Sequence, residues 1–167
     1  MNLSRAFDLL RCLLVSAIVI HVGLRWQQSR SHQLAVEEPI ARIEDNKALA
    51  LSTSRRTLIL ATASYCHFCR ESLPFYRRVV PLARQTGIRV VGLATEDLAV
   101  NRAYLLSENI TIDDVVGSDE AHIPIQGTPT LMLLSSDGSV IGWWRGKLNS
   151  SSEVSLINMI NSTRVER

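Results

Sequence analysis

A Cys-x-x-Cys pair, Cys66-His67-Phe68-Cys69, stands where a short apolar run hands over to a helical pattern, and that junction narrows the folds open to the chain. Upstream, Thr57-Leu58-Ile59-Leu60-Ala61-Thr62 is a partly β-branched apolar stretch of the kind that forms a buried strand. Downstream, Leu73, Tyr76, Val80 and Ala83 recur at helical spacing with arginines between them, as far as Gly87, a natural helix stop. Pro74 and Pro81 are expected to kink or split that helix. The first cysteine then falls at the helix N-terminus, where unsatisfied N–H groups and the macrodipole favour negative charge, and so a thiolate. The second lies about one turn further on, placed to attack a mixed disulfide intramolecularly. Cys66 is expected to be exposed and Cys69 to be covered by helix packing. A zinc site of this spacing would need a second Cys or His pair. A haem attachment site would need His directly after Cys69, where the chain has Arg70. Cys12 is remote from both, so the three cysteines read as one working pair and a stray, not as a disulfide framework.

The rest of the pattern supplies the partners of that strand and helix. Ile88 to Ala94 reads as a second strand, and Asp97 to Asn109 as a helix capped by Asp97, with Leu98, Leu105 and Leu106 on one face. Thr130–Leu134 and a run from Val140 to Trp144 read as strands joined through Asp137-Gly138, a strong hairpin signal. Trp143 and Trp144 alternate along the second of these, one expected to pack inward and the other outward. Ser150 followed by Glu153 resembles a capping box opening a last helix through Ile157 and Ile160. The predicted order is β-α-β-α-β-β-α, an α/β chain with a mixed central sheet flanked by helices. Arg77 and Arg78 are read as a solvated helix face.

At 167 residues there is room for one domain and an appendage, and 46% hydrophobic with 20% charged residues is a globular composition. The net charge of +2 is carried by Arg5, Arg11 and Arg25 against Asp8, so the chain from residue 27 onward is balanced and shows no basic face for nucleic acid. Those arginines surround Leu13 to Leu24, an apolar run shorter than the roughly 20 residues that span a bilayer. A cleaved signal peptide, a buried helix and an uncleaved anchor all compete for it. The anchor is favoured: no small-x-small cleavage site follows closely, while Arg11 and Arg25 can snorkel and Trp26 can sit at the interface. The expected organisation is a membrane segment at 1–26, a polar tether at 27–52 and a domain at 53–163.

Several features together resemble the thioredoxin superfamily across roughly residues 53 to 163. Tyr65 stands where an aromatic precedes the first cysteine, Pro74 where thioredoxins have a helix-kinking proline, and Gly127-Thr128-Pro129-Thr130 where they have a cis-proline loop. With the N-terminal segment, the chain is most similar to the membrane-anchored TlpA/ResA-like extracytoplasmic thioredoxins. That resemblance implies a thioredoxin-like fold and a cis peptide at Thr128-Pro129. It implies thiol–disulfide oxidoreductase activity with Cys66 attacking and Cys69 resolving, and substrate contacts at Tyr65, His67, Phe68, Thr128 and Pro129. No cofactor and no metal are implied. Its partners would be protein thiols or disulfides, the membrane through the N-terminal helix, and a membrane or extracytoplasmic electron donor or acceptor. Its place would be the inner membrane, single-pass, with the domain in the periplasm. Thioredoxins also carry a buried acid in the strand before the motif. Here Leu60 occupies the matching position, and Glu96 and Asp97 are the nearest carboxylates by topology, Asp97 being equally readable as a helix cap. Two rival readings remain, a copper metallochaperone using the reduced pair and a thioredoxin-fold binding module without turnover.

Overall fold

The computed structural model describes residue 43 and residues 55–162. The expected membrane segment, nearly all of the tether and the last residues of the chain lie outside these. Among the described residues, no helix is long and apolar enough to cross a membrane.

Strand β1 (Thr57–Thr62) leads into helix α1 (His67–Gln85), followed by β2 (Arg89–Ala94), α2 (Leu98–Ser107), β3 (Asp114–Gly117), β4 (Thr130–Leu134), β5 (Val140–Arg145) and α3 (Ser150–Asn161). The strands form one five-stranded sheet in the order β3-β2-β1-β4-β5. β1 runs parallel to β2, and β2 to β3, whereas β4 is antiparallel to both β1 and β5. This is the mixed sheet expected from the sequence, with one addition. β3 is only four residues long and carries no recognisable period of its own; it is ordered by its parallel pairing with Val91 to Ala94.

Every residue of β1 and β4 is buried, because both faces of the central sheet are covered. Alternate side chains divide between two cores, as the two-residue period of a strand dictates. Leu58, Leu60, Leu131 and Leu133 join Leu73, Tyr76 and Val80 of α1, Leu105 of α2, and Leu156 and Ile160 of α3. Ile59, Ala61, Met132 and Leu134 meet Ile43, Ala121 and Ile123. Each fully buried Leu or Ile contributes about 1.5–3 kcal/mol. Trp143 packs against the second core and Trp144 against the first, both half-buried, so neither is simply outward: at β5 each face of the sheet is partly covered.

α1 is a single helix of 19 residues, neither broken at Pro74 nor at Pro81. Both prolines lie on its exposed side, where the carbonyls their missing N–H groups leave free are open to solvent hydrogen bonding. Asp97 caps α2 by accepting from the Ala99 and Val100 amides at 2.9 and 3.1 Å. The buried residues of α2 are Asn101 and Leu105, while Leu98 and Leu106 are exposed, so of the expected apolar face only Leu105 packs, together with the polar Asn101. α3 is capped by Asn149, whose Oδ1 accepts from the Ser152 amide at 2.9 Å, and not by Ser150, which is already helical. Surface pairs tie α1 to its neighbours: Arg77 to Glu108 at 2.8 Å and Arg78 to Glu153 at 2.7 Å.

The β4–β5 hairpin turns at Gly138, which takes a left-handed φ of 85°. Within β5, Trp144 lies over Gly142 so closely that a Cβ on Gly142 would overlap its six-membered ring. Gly142→Ala is therefore expected to displace Trp144 from the first core and to destabilise the domain by about 1–3 kcal/mol, read as a lower urea midpoint and altered tryptophan fluorescence.

Candidate functional site

β1 ends at Thr62, and a tight turn closed by the Cys66 amide on the Ala63 carbonyl (3.1 Å) leads into α1. Cys66 is the N-cap of that helix, with extended backbone angles, and its sulfur accepts from the Cys69 amide at 3.1 Å. The two cysteines are joined in a disulfide with their Cα atoms 5.2 Å apart. Cys66 keeps 8% of its surface exposed and Cys69 none. The order of exposure is the one expected, but Cys66 is far more covered than anticipated. It packs with Ala63 and Cys69, and its sulfur lies 3.3 Å from the Thr128 carbonyl oxygen.

That carbonyl belongs to the loop before β4, in which the Thr128-Pro129 peptide is cis. Pro129 is buried and Thr128 half-buried. The loop is held on both sides: the Gly146 amide donates to the Pro129 carbonyl at 2.7 Å, and the Thr130 hydroxyl to the Gly127 carbonyl at 2.7 Å. Around the disulfide, Tyr65 and Phe68 are 71% and 55% exposed, and they are among the most exposed large apolar side chains of the domain. His67 packs edge-on against Phe68 and its Nε2 lies 2.9 Å from Glu71. The other Glu71 oxygen accepts from Lys147 at 2.9 Å. The structure thus brings Tyr65, Cys66, Phe68 and Thr128 around one disulfide edge, with His67 in an exposed charge cluster beside it.

Leu60, in the position of the missing acid, is wholly buried in the first core. Of the two carboxylates nearest by topology, Asp97 is the helix cap, and Glu96 turns toward the motif. Glu96 accepts from the Ser64 amide at 2.6 Å and from the Ser64 hydroxyl at 2.7 Å. Glu96 also lines a polar cleft of about 400 Å³ with Thr95, Asp97, Ser118 and Asp119. Ser64 itself carried no signal in the sequence, since only tertiary pairing shows what faces it. Among the described residues no group of three or more His, Cys, Asp or Glu is placed to hold a metal ion.

A parallel–antiparallel sheet with a disulfide at the head of its first helix and a cis-proline loop before the adjacent antiparallel strand is the thioredoxin fold. Solved structures agree. A thioredoxin-family thiol:disulfide interchange protein from Chlorobium tepidum superposes with a TM-score of 0.53 at 21% identity, covering 68% of this chain and 83% of its own. A thiol:disulfide interchange protein from Bacteroides gives 0.51 at 15% identity, covering 64% and 74%. A secreted disulfide oxidoreductase from Mycobacterium tuberculosis gives 0.50 at 15% identity, covering 68% and 85%. No protein-family model matches the sequence, and no curated protein matches it significantly.

The Lys147 ammonium, by hydrogen bond and by charge, holds the Glu71 carboxyl below its ordinary range, with a smaller contribution from His67. A depressed carboxylate stabilises the fold above its unfolded-state value and loses that contribution as the pH falls through the folded one. Lys147→Gln should accordingly move the Glu71 titration upward toward an ordinary carboxylate, measured by NMR on the side-chain carboxyl carbon, with 0.5 M salt producing part of the same shift.

Proposed function

We propose that this protein is a thiol–disulfide oxidoreductase tethered to the membrane, exchanging disulfides with cysteines of extracytoplasmic proteins. The observation that carries the reading is the Cys66–Cys69 disulfide at the head of α1, one sulfur partly exposed and the other sealed. The solved relatives that share the fold are thiol:disulfide interchange proteins by their descriptions, which supports the same chemistry here.

In the reduced form the Cys66 sulfur sits where the first-turn amides of α1 meet, and the Cys69 amide already points at it. That field favours the thiolate. The Cys66 thiolate attacks one sulfur of a substrate disulfide; the new S–S bond forms as the old one breaks, and a substrate thiolate leaves. The Cys69 thiolate then attacks the Cys66 sulfur of the mixed disulfide and releases the second substrate thiolate. The protein is left as the observed disulfide and the substrate has gained two electrons. Run backward, the same steps oxidise a substrate dithiol. A membrane or extracytoplasmic partner resets the pair. Burial of Cys69 keeps it from external disulfides, so attack and release fall to different sulfurs.

Tyr65 and Phe68 supply an apolar rim for the substrate chain, and the Thr128-Pro129 edge, 3.3 Å from the Cys66 sulfur at the Thr128 carbonyl, guides its backbone. His67 contributes a polar contact at the same rim. The N-terminal apolar run supports a single-pass anchor, and the resemblance to anchored extracytoplasmic thioredoxins favours the inner membrane with the domain in the periplasm.

Cys69→Ser is expected to accumulate mixed disulfides with substrate proteins on a non-reducing gel, because attack proceeds and release does not. Cys66→Ser should trap almost nothing, and Cys12→Ser should retain activity. Trapping by Cys66→Ser in place of Cys69→Ser would reverse the two roles. In a bacterial host, the full chain should stay in the pellet after alkaline carbonate extraction; release of full-length protein would remove the anchor from the proposal.

A further inference from the structure

The turn that presents Cys66 is held from the side by a carboxylate of the neighbouring strand's loop. Ser64 is two residues before Cys66 and forms a corner of the Ala63–Cys66 turn. Its amide and its hydroxyl both donate to Glu96, at 2.6 and 2.7 Å, a forked grip on one residue by one charged group. Glu96 is itself steadied by Asn101, a fully buried residue of α2 whose Nδ2 donates to Glu96 Oε1 at 3.2 Å. The same Nδ2 donates at 2.8 Å to the carbonyl of Thr62, the last residue of β1. Thr62, Asn101, Glu96 and Ser64 thus form one chain of hydrogen bonds that joins the end of β1, α2, the β2–α2 loop and the turn. Thr62 and Asn101 are fully buried, whereas Ser64 and Glu96 are only half-buried, so the Ser64–Glu96 bonds lie outside the two cores.

From this geometry we infer that Glu96 is a positioning residue for Cys66, acting through Ser64. It contributes as a hydrogen-bond acceptor that fixes the turn. The inference rests on the proposed exchange reaction, in which Cys66 is the attacking sulfur.

Position and charge pull in opposite directions, and this separates them. If Glu96 acted on Cys66 through its negative charge, removing the charge would favour the thiolate and lower the pH midpoint of Cys66 reactivity. If it acts by holding the turn, losing the acceptor releases the sulfur from its alignment with the first-turn amides and raises the midpoint. Glu96→Gln removes the charge and keeps a side-chain oxygen for the Ser64 amide, while its amide can donate to the Ser64 hydroxyl. Glu96→Ala removes both.

The test is the pH profile of Cys66 alkylation by iodoacetamide in the reduced full chain carrying Cys69→Ser and Cys12→Ser, alongside exchange with a disulfide-bonded protein substrate in the two-cysteine form. Glu96→Ala is expected to raise the alkylation midpoint by about one pH unit. It should slow exchange about tenfold, while Glu96→Gln stays close to wild type in both. Ser64→Ala, which removes one of the two bonds and leaves the fold's cores untouched, should shift the midpoint the same way by less. A lowered or unchanged midpoint in a folded Glu96→Ala protein overturns the inference, as does equal behaviour of Gln and Ala at 96. If Glu96→Ala does not fold, a wild-type midpoint in Ser64→Ala overturns it. Alkylation needs no protein substrate. A wild-type chain that fails to exchange therefore defeats the proposed reaction, while the order of the variants' midpoints still decides the role of Glu96.

Discussion

The pairing of β1 with its two neighbours is the constraint on which the rest of the molecule hangs. β4 runs antiparallel to β1 with Thr130 opposite Ala61, so the loop that enters β4 must lie beside the loop that leaves β1. This puts the Thr128 carbonyl against the Cys66 sulfur. β2 runs parallel to β1 with Ala94 opposite Thr62, so the two chains leave the sheet side by side, and Glu96 meets Ser64 two residues further on. A strand with one parallel and one antiparallel neighbour therefore gathers three loops at one end. The disulfide sits where they converge.

Holding that register is the work of the apolar side chains. Leu58 and Leu60 face one core while Ile59 and Ala61 face the other, and β4 repeats the division with Leu131 and Leu133 against Met132 and Leu134. A slip of one residue would send each set into the wrong core. The hydrogen bonds at the site are few and join loops distant in sequence, and they could not hold those loops together without that register beneath them.

Much of this was legible in the chain because the signals are local. The strand at 57–62, the helix behind Cys66, the Asp97 cap and the Asp137-Gly138 turn each depend on residues close in sequence. What was hidden depends on neighbours distant in sequence. β3 is too short to show a period and is ordered by its pairing with β2. The buried side of α2 is chosen by Asn101 reaching the end of β1, a polar anchor that an apolar pattern does not reveal. The prolines of α1 do not split it because both face solvent, an orientation that the sequence alone does not show and in which a missing amide is easily tolerated. Within the site, the cysteines and the cis-proline loop were visible as motifs, and Glu96 was near by topology, but its grip on Ser64 needed the fold.

The irregularity between β4 and β5 has a further consequence. The register shift falls at Leu133 and Leu134, the end of β4 farthest from Thr128. Mismatch between the two hairpin strands is thus absorbed at the distal end, and the pairing of Thr130 with Ala61 stays regular. The bulge works as an expansion joint. A residue inserted in the hairpin tip at 135–139 would leave the sulfur–carbonyl contact in place, whereas a single residue inserted between Thr130 and Leu133 would be carried straight to it.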